Sequence, residues 1–286
     1  MATNLDTYYI DGEFVAEDEA RLSVKDITVL RGYGIFDFLI TYNHRPFYLK
    51  EHVARLENSA REIHLELQHS NEEICEIVEE TIRRNPHHNE SNVRIVYTGG
   101  ISPDGVTPQG NGILMVMATP KHVLPDWWYT DGAPIATVDM VRFIPASKST
   151  NYLSAVFAQQ QARKNYDAIE AIYVNKQKQV LEGTTTNIYG IKGNTIVTPE
   201  EGILHGITRS VVLKLAEEKY TIDLRPIDMD ELKSFDEIFL SASNKEIVPV
   251  SKINDMVVGD GKPGPVTRDI MAMFREYTTA YGQGKI

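Results

Sequence analysis

Cysteine is almost absent. Cys75 is the only one in 286 residues, so no intramolecular disulfide can form and the chain suits a reducing compartment. It falls in a helical pattern with Ile74, Ile77 and Val78, which reads as a small core thiol rather than a nucleophile. Positive charge is also scarce. Lys and Arg number 29 against 40 Asp and Glu, and no local basic patch relieves the net −11. Neither nucleic acid nor an anionic membrane surface is therefore an expected partner. Long apolar runs are missing as well: ILMVMA from Ile113 is far too short to span a bilayer. The opening MATNLDTYYIDG has no basic head followed by an apolar stretch, so no signal peptide is expected, and the expected location is the cytoplasm. No internal repeat or low-complexity tract interrupts the chain.

What is present is ordinary globular patterning, long enough to bury a core in one large or two modest domains. Strand patterns with turn residues open the chain: YYI, then Asp11-Gly12, then EFVA. GIFDFLITY and FYL flank the turn from Asn43 to Pro46 and predict a second hairpin. A helix is expected from about Lys50, with Val53, Leu56, Ala60 and Ile63 on one face. Ser70 and Glu73 form a capping box for the next helix, and RIVYTG and ILMVMA read as strands. Thr119 to Pro134 has three prolines, two tryptophans and no clear period, and reads as an interdomain connection. The expected division is a small α+β domain over residues 1–118, a linker over 119–134 and a larger α/β domain over 135–286. In that second part strands and helices alternate, from ATVDMVRFI to a closing helix near Val266.

One lysine is placed oddly. Lys148 follows the apolar approach Val141 to Ala146, read as a buried strand, and precedes a helix whose Leu153, Val156 and Phe157 share a face. Alone it could be a solvated lysine. Glu182 in VLEGTTTNIYGI could be a strand-end carboxylate, and LHGITRSVVLKLA a capped helix. Together these features match the needs of pyridoxal phosphate. An amine condenses with the aldehyde, a carboxylate keeps the pyridine nitrogen protonated, and helix N–H groups with hydroxyls hold the phosphate.

The ordered motifs KSTNY, LEGTTTN, GITR, SASNKEIVPV and GPVTR resemble those of the class IV aminotransferases, the fold-type IV pyridoxal-phosphate enzymes. The resemblance spans about Gly32 to Arg268, and YLKEHVARLENSA is similar to the family's helix bearing a phosphate-binding arginine. It implies two α/β domains with the cofactor in the cleft between them, and a homodimer in which RGYGIFDF, with Phe36, walls the other subunit's site. It assigns Lys148 as the covalent anchor and Glu182 as the partner of the ring nitrogen. Arg55, Ile207, Thr208 and Ser243 would bind the phosphate with Asn244 beside it, and no metal is expected at the site.

The implied reaction moves an amino group between an amino acid and an α-keto acid, with Lys148 carrying the Cα proton. Substrate signals conflict. Branched-chain enzymes usually carry an arginine where this chain has Ile40 and a tyrosine where it has Asn92. D-amino acid enzymes place an arginine and a histidine in the segment matching Thr98 to Gly100, here TGG. The KSTN spacing is nearer the D-type, and Tyr152 is similar to the branched-chain type. Arg31 and Arg94 are then candidate carboxylate anchors, with Lys245 a third that could also be a solvated lysine. The expectation is a D-amino acid aminotransferase lacking the usual carboxylate trap, with a branched-chain L-amino acid aminotransferase as the alternative. Aminodeoxychorismate lyase, an (R)-amine transaminase and an idle pyridoxal-phosphate-binding protein follow in that order.

Overall fold

Turn chemistry sets the first hairpin. Asp11 and Gly12 both take positive φ, 49° and 93°, the backbone that a tight two-residue turn requires between β1 (Thr7–Ile10) and β2 (Glu13–Ala16). A computed structural model describes residues 5–286. After the hairpin come α1 (Ile27–Arg31), β3 (Gly34–Tyr42), β4 (Arg45–Pro46), α2 (Leu49–Glu62), α3 (Asn71–Arg83), β5 (Ser91–Thr98) and β6 (Leu114–Pro120). Asp26 caps α1, and the Ser70–Glu73 capping box of α3 is complete in both directions. FYL is not a strand: the chain turns at Tyr48 and enters α2 at Leu49.

The chain divides into two compact units. The first takes the chain up to His122 together with Ala146–Tyr152 and Thr279–Ile286, and the second takes Val123–Pro145 and Leu153–Thr278. The first unit is built on an antiparallel sheet ordered β2-β1-β6-β5-β3-β4. One face of it, with Leu39, Ile95 and Val116, is covered by Val53 and Leu56 of α2 and Ile74 and Val78 of α3. On β3 the alternate residues Phe36, Phe38 and Ile40 point to the other face, opposite Val96, Arg94 and Asn92 of β5.

The second unit carries α4 (Trp127–Thr130), β7 (Ala133–Val138), α5 (Leu153–Tyr166), β8 (Glu170–Val174), β9 (Gln179–Gly183), β10 (Asn187–Lys192) and β11 (Thr195–Thr198). There follow α6 (Ile207–Ala216), β12 (Thr221–Leu224), β13 (Ile227–Asp228), a 3-10 turn over Met229–Ser234, β14 (Glu237–Ala242), β15 (Glu246–Ile253), β16 (Met256–Val257) and α7 (Pro265–Gly282). Its mixed sheet runs β12-β11-β10-β14-β15-β7-β8-β9-β13. The β9–β10 hairpin pairs only at Glu182 and Asn187 before its strands diverge to β8 and β14. That single rung closes β10, β14, β15, β7, β8 and β9 into a ring, and Glu182 sits on it. The segment read as an interdomain connection is partly regular: it holds the end of β6, all of α4 and the start of β7.

One expectation around Lys148 is corrected. The apolar approach is not a buried strand: β7 ends at Val138, and Val141 and Phe143 are 50% and 93% exposed. Apolar composition alone makes no strand where no ladder partner continues. The shared face of Leu153, Val156 and Phe157 is likewise outward, while Ala155, Ala158 and Ala162 make the core contact with Ala136, Ala171 and Tyr173. Small side chains let α5 lie close on β7 and β8, so the helix packs through its alanines. Cys75 is half-buried against the first unit's core, and burial pushes its thiol pKa up.

Candidate active site

Within the first unit, Lys148 lies on an extra rung added to β3. Phe36 N–H donates to the Lys148 carbonyl at 2.9 Å, Thr150 N–H donates to the Gly34 carbonyl at 2.9 Å, and Ile35 bridges to Ser149. The Lys148 N–H donates to Ser59 Oγ of α2 at 3.0 Å, and Ser147 Oγ to the Ser59 carbonyl at 3.0 Å. This pairing directs the Lys148 side chain to the face of Phe36, with Nζ 4.8 Å from the ring centroid. Arg94 approaches the same ring from β5, its Cζ at 5.3 Å, and Tyr152 packs edge-on at 5.3 Å. Two cations thus flank one aromatic ring, Arg94 exposed and Lys148 half-buried.

Arg55 is fixed from β3. Its Nε and Nη2 donate to the two oxygens of Asp37 at 2.9 and 2.7 Å, and His52 Nδ1 lies 2.7 Å from Asp37 Oδ1. Asp37 is fully buried. Burial pushes its carboxyl up, but Arg55 and His52 outweigh that and hold it well below the usual range. For His52 burial wins: the imidazole is pushed down despite Asp37, so it donates Nδ1–H as a neutral ring. Sequence reasoning missed Asp37, although an acid inside GIFDFLITY was a visible signal. A depressed carboxyl stabilises the fold fully above its unfolded pKa of about 4 and loses that contribution as pH falls toward its folded value. Asp37→Asn is therefore expected to cost about 3 kcal/mol at neutral pH. Urea unfolding followed from pH 7 downward should also show a shallower acid loss than wild type. Equal stability at pH 7 would mean that the cluster is not a structural anchor.

In the second unit, Glu182 is buried and paired with Arg142, whose Nε lies 2.8 Å from Oε1. Arg142 Nη2 also donates to the Thr184 carbonyl at 3.0 Å. Leu204 N–H donates to Glu182 Oε2 at 3.1 Å, and Asn187 Nδ2 donates to the Leu204 carbonyl at 2.9 Å. The residues of the β9–β10 rung therefore hold the loop that leads into α6. That helix begins at Ile207 and Thr208 with Gly206 as N-cap and no side-chain cap for its first N–H groups. A Cβ on Gly206 would run into Asn187 Oδ1, so glycine is required by close approach. Arg142 was also missed, hidden in a stretch read as apolar.

Ser243 and Asn244 lie in the turn between β14 and β15, half-buried and exposed respectively, and Thr208 is buried where α6 packs on β14. Lys245 is not a solvated lysine: it is 8% exposed, and its Nζ donates to Glu170 Oε2 and Thr185 Oγ1, both at 2.6 Å. Thr184 Oγ1 also donates to Glu170, while the Thr185 N–H and Oγ1 donate to it at 3.1 and 2.8 Å. Burial pushes the Glu170 carboxyl up, but Lys245 and the threonines more than reverse it. The network ties the Ser243–Asn244 turn to the LEGTTT loop, and the Lys245 ammonium is engaged there.

Two of the positions at which the resemblance expects a carboxylate ligand fall together. Ile40 and Asn92 are cross-strand partners, 1% and 6% exposed, on the face that carries Phe36 and Arg94. At the other position a Cβ on Gly99 would meet the Tyr33 carbonyl and the Ile27 side chain, leaving no room for a side chain there. Arg31 closes α1, exposed, with Nη1 donating to the Leu30 carbonyl at 2.8 Å.

This fold is that of an aminotransferase. The amino-transferase class IV family model matches residues 34–253, and the chain belongs to that family. It is 34% identical over 276 residues to the D-alanine aminotransferase of Staphylococcus haemolyticus, covering 94% of this chain and 96% of that one. A protein of Methanocaldococcus jannaschii, provisionally named a branched-chain-amino-acid aminotransferase, is 35% identical over 285 residues, 96% of this chain and 97% of its own. The solved branched-chain amino acid aminotransferase of Escherichia coli is similar at a TM-score of 0.90 and 26% identity, covering 96% of this chain and 95% of that chain. That of T.th., solved with pyridoxamine 5'-phosphate, gives 0.89 and 28% over the same shares.

Proposed function

We propose that the protein transfers amino groups from D-amino acids to α-keto acids on pyridoxal phosphate. The observation that carries this reading is the Phe36 ring flanked by the Lys148 amine and the Arg94 guanidinium: a nucleophile and base beside a cation of permanent charge. The donor sets suit the cofactor. In the first unit Arg55, its guanidinium oriented by Asp37, is a candidate phosphate donor; in the second unit the uncapped N–H groups at Ile207 and Thr208, Ser243 Oγ and Asn244 are candidates of the same kind. Glu182, its buried charge compensated by Arg142, would meet the pyridine nitrogen. Once bound, pyridoxal phosphate supplies an electron sink for the pair left when the Cα–H bond breaks. Lys148 would anchor it, and its Nζ would be the group that takes the proton from Cα.

Arg94 would receive the substrate carboxylate through two parallel hydrogen bonds, and Phe36 would bound the substrate between the two cations. Ile40 and Asn92 leave the branched-chain arrangement incomplete and Gly99 leaves no room for the usual D-type ligands, so Arg94 is the carboxylate anchor this reading rests on. The similarity to solved branched-chain enzymes favours the second reading, a branched-chain L-amino acid aminotransferase. Exposed Leu153, Val156, Phe157 and Phe143 support a homodimer, in which Arg31 would reach the partner's substrate. Among the described residues no helix is long and apolar enough to cross a membrane, and the lone thiol suits the cytoplasm.

Half-reaction rates, read from the cofactor's absorbance, are expected to be higher with D-alanine or D-glutamate than with L-leucine. Arg94→Ala and Arg31→Ala should each raise KM for amino acids by roughly ten- to a hundredfold, the worth of a charged hydrogen-bonded pair. Faster turnover of L-leucine would overturn the D preference, and an unchanged KM would remove that arginine from the substrate.

A further inference from the structure

Outside the active site, a histidine pair converges on one carboxylate. His87 Nε2 lies 2.9 Å and His88 Nε2 2.8 Å from the same oxygen, Oδ1 of Asp6. Adjacent residues normally send their side chains apart, yet here the two rings meet edge-on at 4.4 Å and aim at one point. His88 and Asp6 side chains are 1% and 10% exposed, while His87, at 29%, opens the group to water. On its far side His88 Nδ1 lies 3.0 Å from Ser91 Oγ. That contact fixes the ring and leaves Nε2 facing the cluster, the outer support that metal-bound histidines usually have.

We propose that Asp6, His87 and His88 form a binding site for a divalent transition metal such as zinc or nickel. The three ligand atoms already lie within 4.8 Å of one another. A tetrahedral ion at about 2.0–2.1 Å from each would need ligand separations of roughly 3.4 Å, so the two short contacts open by about half an ångström on binding. Two imidazoles and one carboxylate suit zinc, nickel or cobalt and are poor for calcium or magnesium, which take oxygen ligands. Water on the His87 side completes the coordination. A carboxylate that only anchored the strand would need one histidine, and the second has its use in the metal.

The site is placed to be structural. Asp6 immediately precedes β1, whose Thr7 N–H donates to Asn85 Oδ1 at 2.8 Å while Asn85 Nδ2 donates back to the Thr7 carbonyl at 2.8 Å. A metal there would clip the start of β1 to the loop after α3, closing a span of 81 residues.

Tag-free holoenzyme stripped with chelator should bind one equivalent of zinc or nickel by calorimetry, and its melting temperature should rise by several degrees. Magnesium and calcium should do neither. His87→Ala, at the exposed ligand, should weaken zinc by at least about a hundredfold, and Ser91→Ala by about tenfold. Asp6→Asn keeps the size of the side chain and serves as a second ligand variant, with circular dichroism reporting that each variant is folded. Absence of saturable binding in the wild type, or wild-type affinity in folded His87→Ala and Asp6→Asn, overturns the proposal.

Discussion

Lys148→Ala is expected to abolish turnover and to remove the visible absorbance of lysine-linked cofactor, with almost no change in stability. The last part follows from how the residue is held. Its N–H is bound by Ser59 Oγ and its carbonyl by the Phe36 N–H, so the rung along β3 depends on backbone groups that alanine retains. The side chain is half-buried and lies against the Phe36 ring, so its truncation leaves no large cavity. What disappears is the amine. Lys148→Arg separates amine from charge: guanidinium keeps the cation beside Phe36 but stays protonated and cannot act as nucleophile or base. It should be as inactive as the alanine variant. If either variant retained the visible band and turned over at a measurable rate, another residue would have to be the anchor.

Several signals were legible because their physics is local. The Asp11-Gly12 turn, the Ser70–Glu73 box and the apolar stripe of α2 all read correctly, because each depends on residues within one turn or hairpin. Apolar spacing alone does not say which face is buried where burial depends on distant partners. Leu153, Val156 and Phe157 have helical spacing, yet the sheet beneath α5 takes its alanines. Charged residues were hardest to read. Asp37 and Arg55 are 18 positions apart, Arg142 and Glu182 lie on separate segments, and Lys245 meets Glu170 across 75 positions. Each pair became visible only when the fold brought its two segments together. An ionisable residue inside an apolar run, as in GIFDFLITY and VRFI, was the available sign, since an unpaired charge cannot be buried.

Glu182→Gln should keep the cofactor and lose most of the rate. Glutamine has nearly the same shape, and its amide oxygen can still accept from Leu204 N–H, so the loop into α6 stays in place. The negative charge is lost, and with it the group proposed to keep the pyridine nitrogen protonated. Weakening the electron sink should raise the barrier by about 3 kcal/mol, roughly a hundredfold in kcat. A purely structural role would show differently. Arg142→Met strands the Glu182 carboxylate in a buried setting, so it should destabilise the fold by several kcal/mol. Adding Glu182→Gln removes that stranded charge, and the double variant should recover much of the lost stability. Its rate should remain as low as that of Glu182→Gln alone, because refolding the pocket does not restore the charge. Denaturant midpoints and single-turnover rates on the three variants separate the two roles. Turnover of Glu182→Gln equal to wild type would place the ring-nitrogen partner elsewhere, whatever its stability.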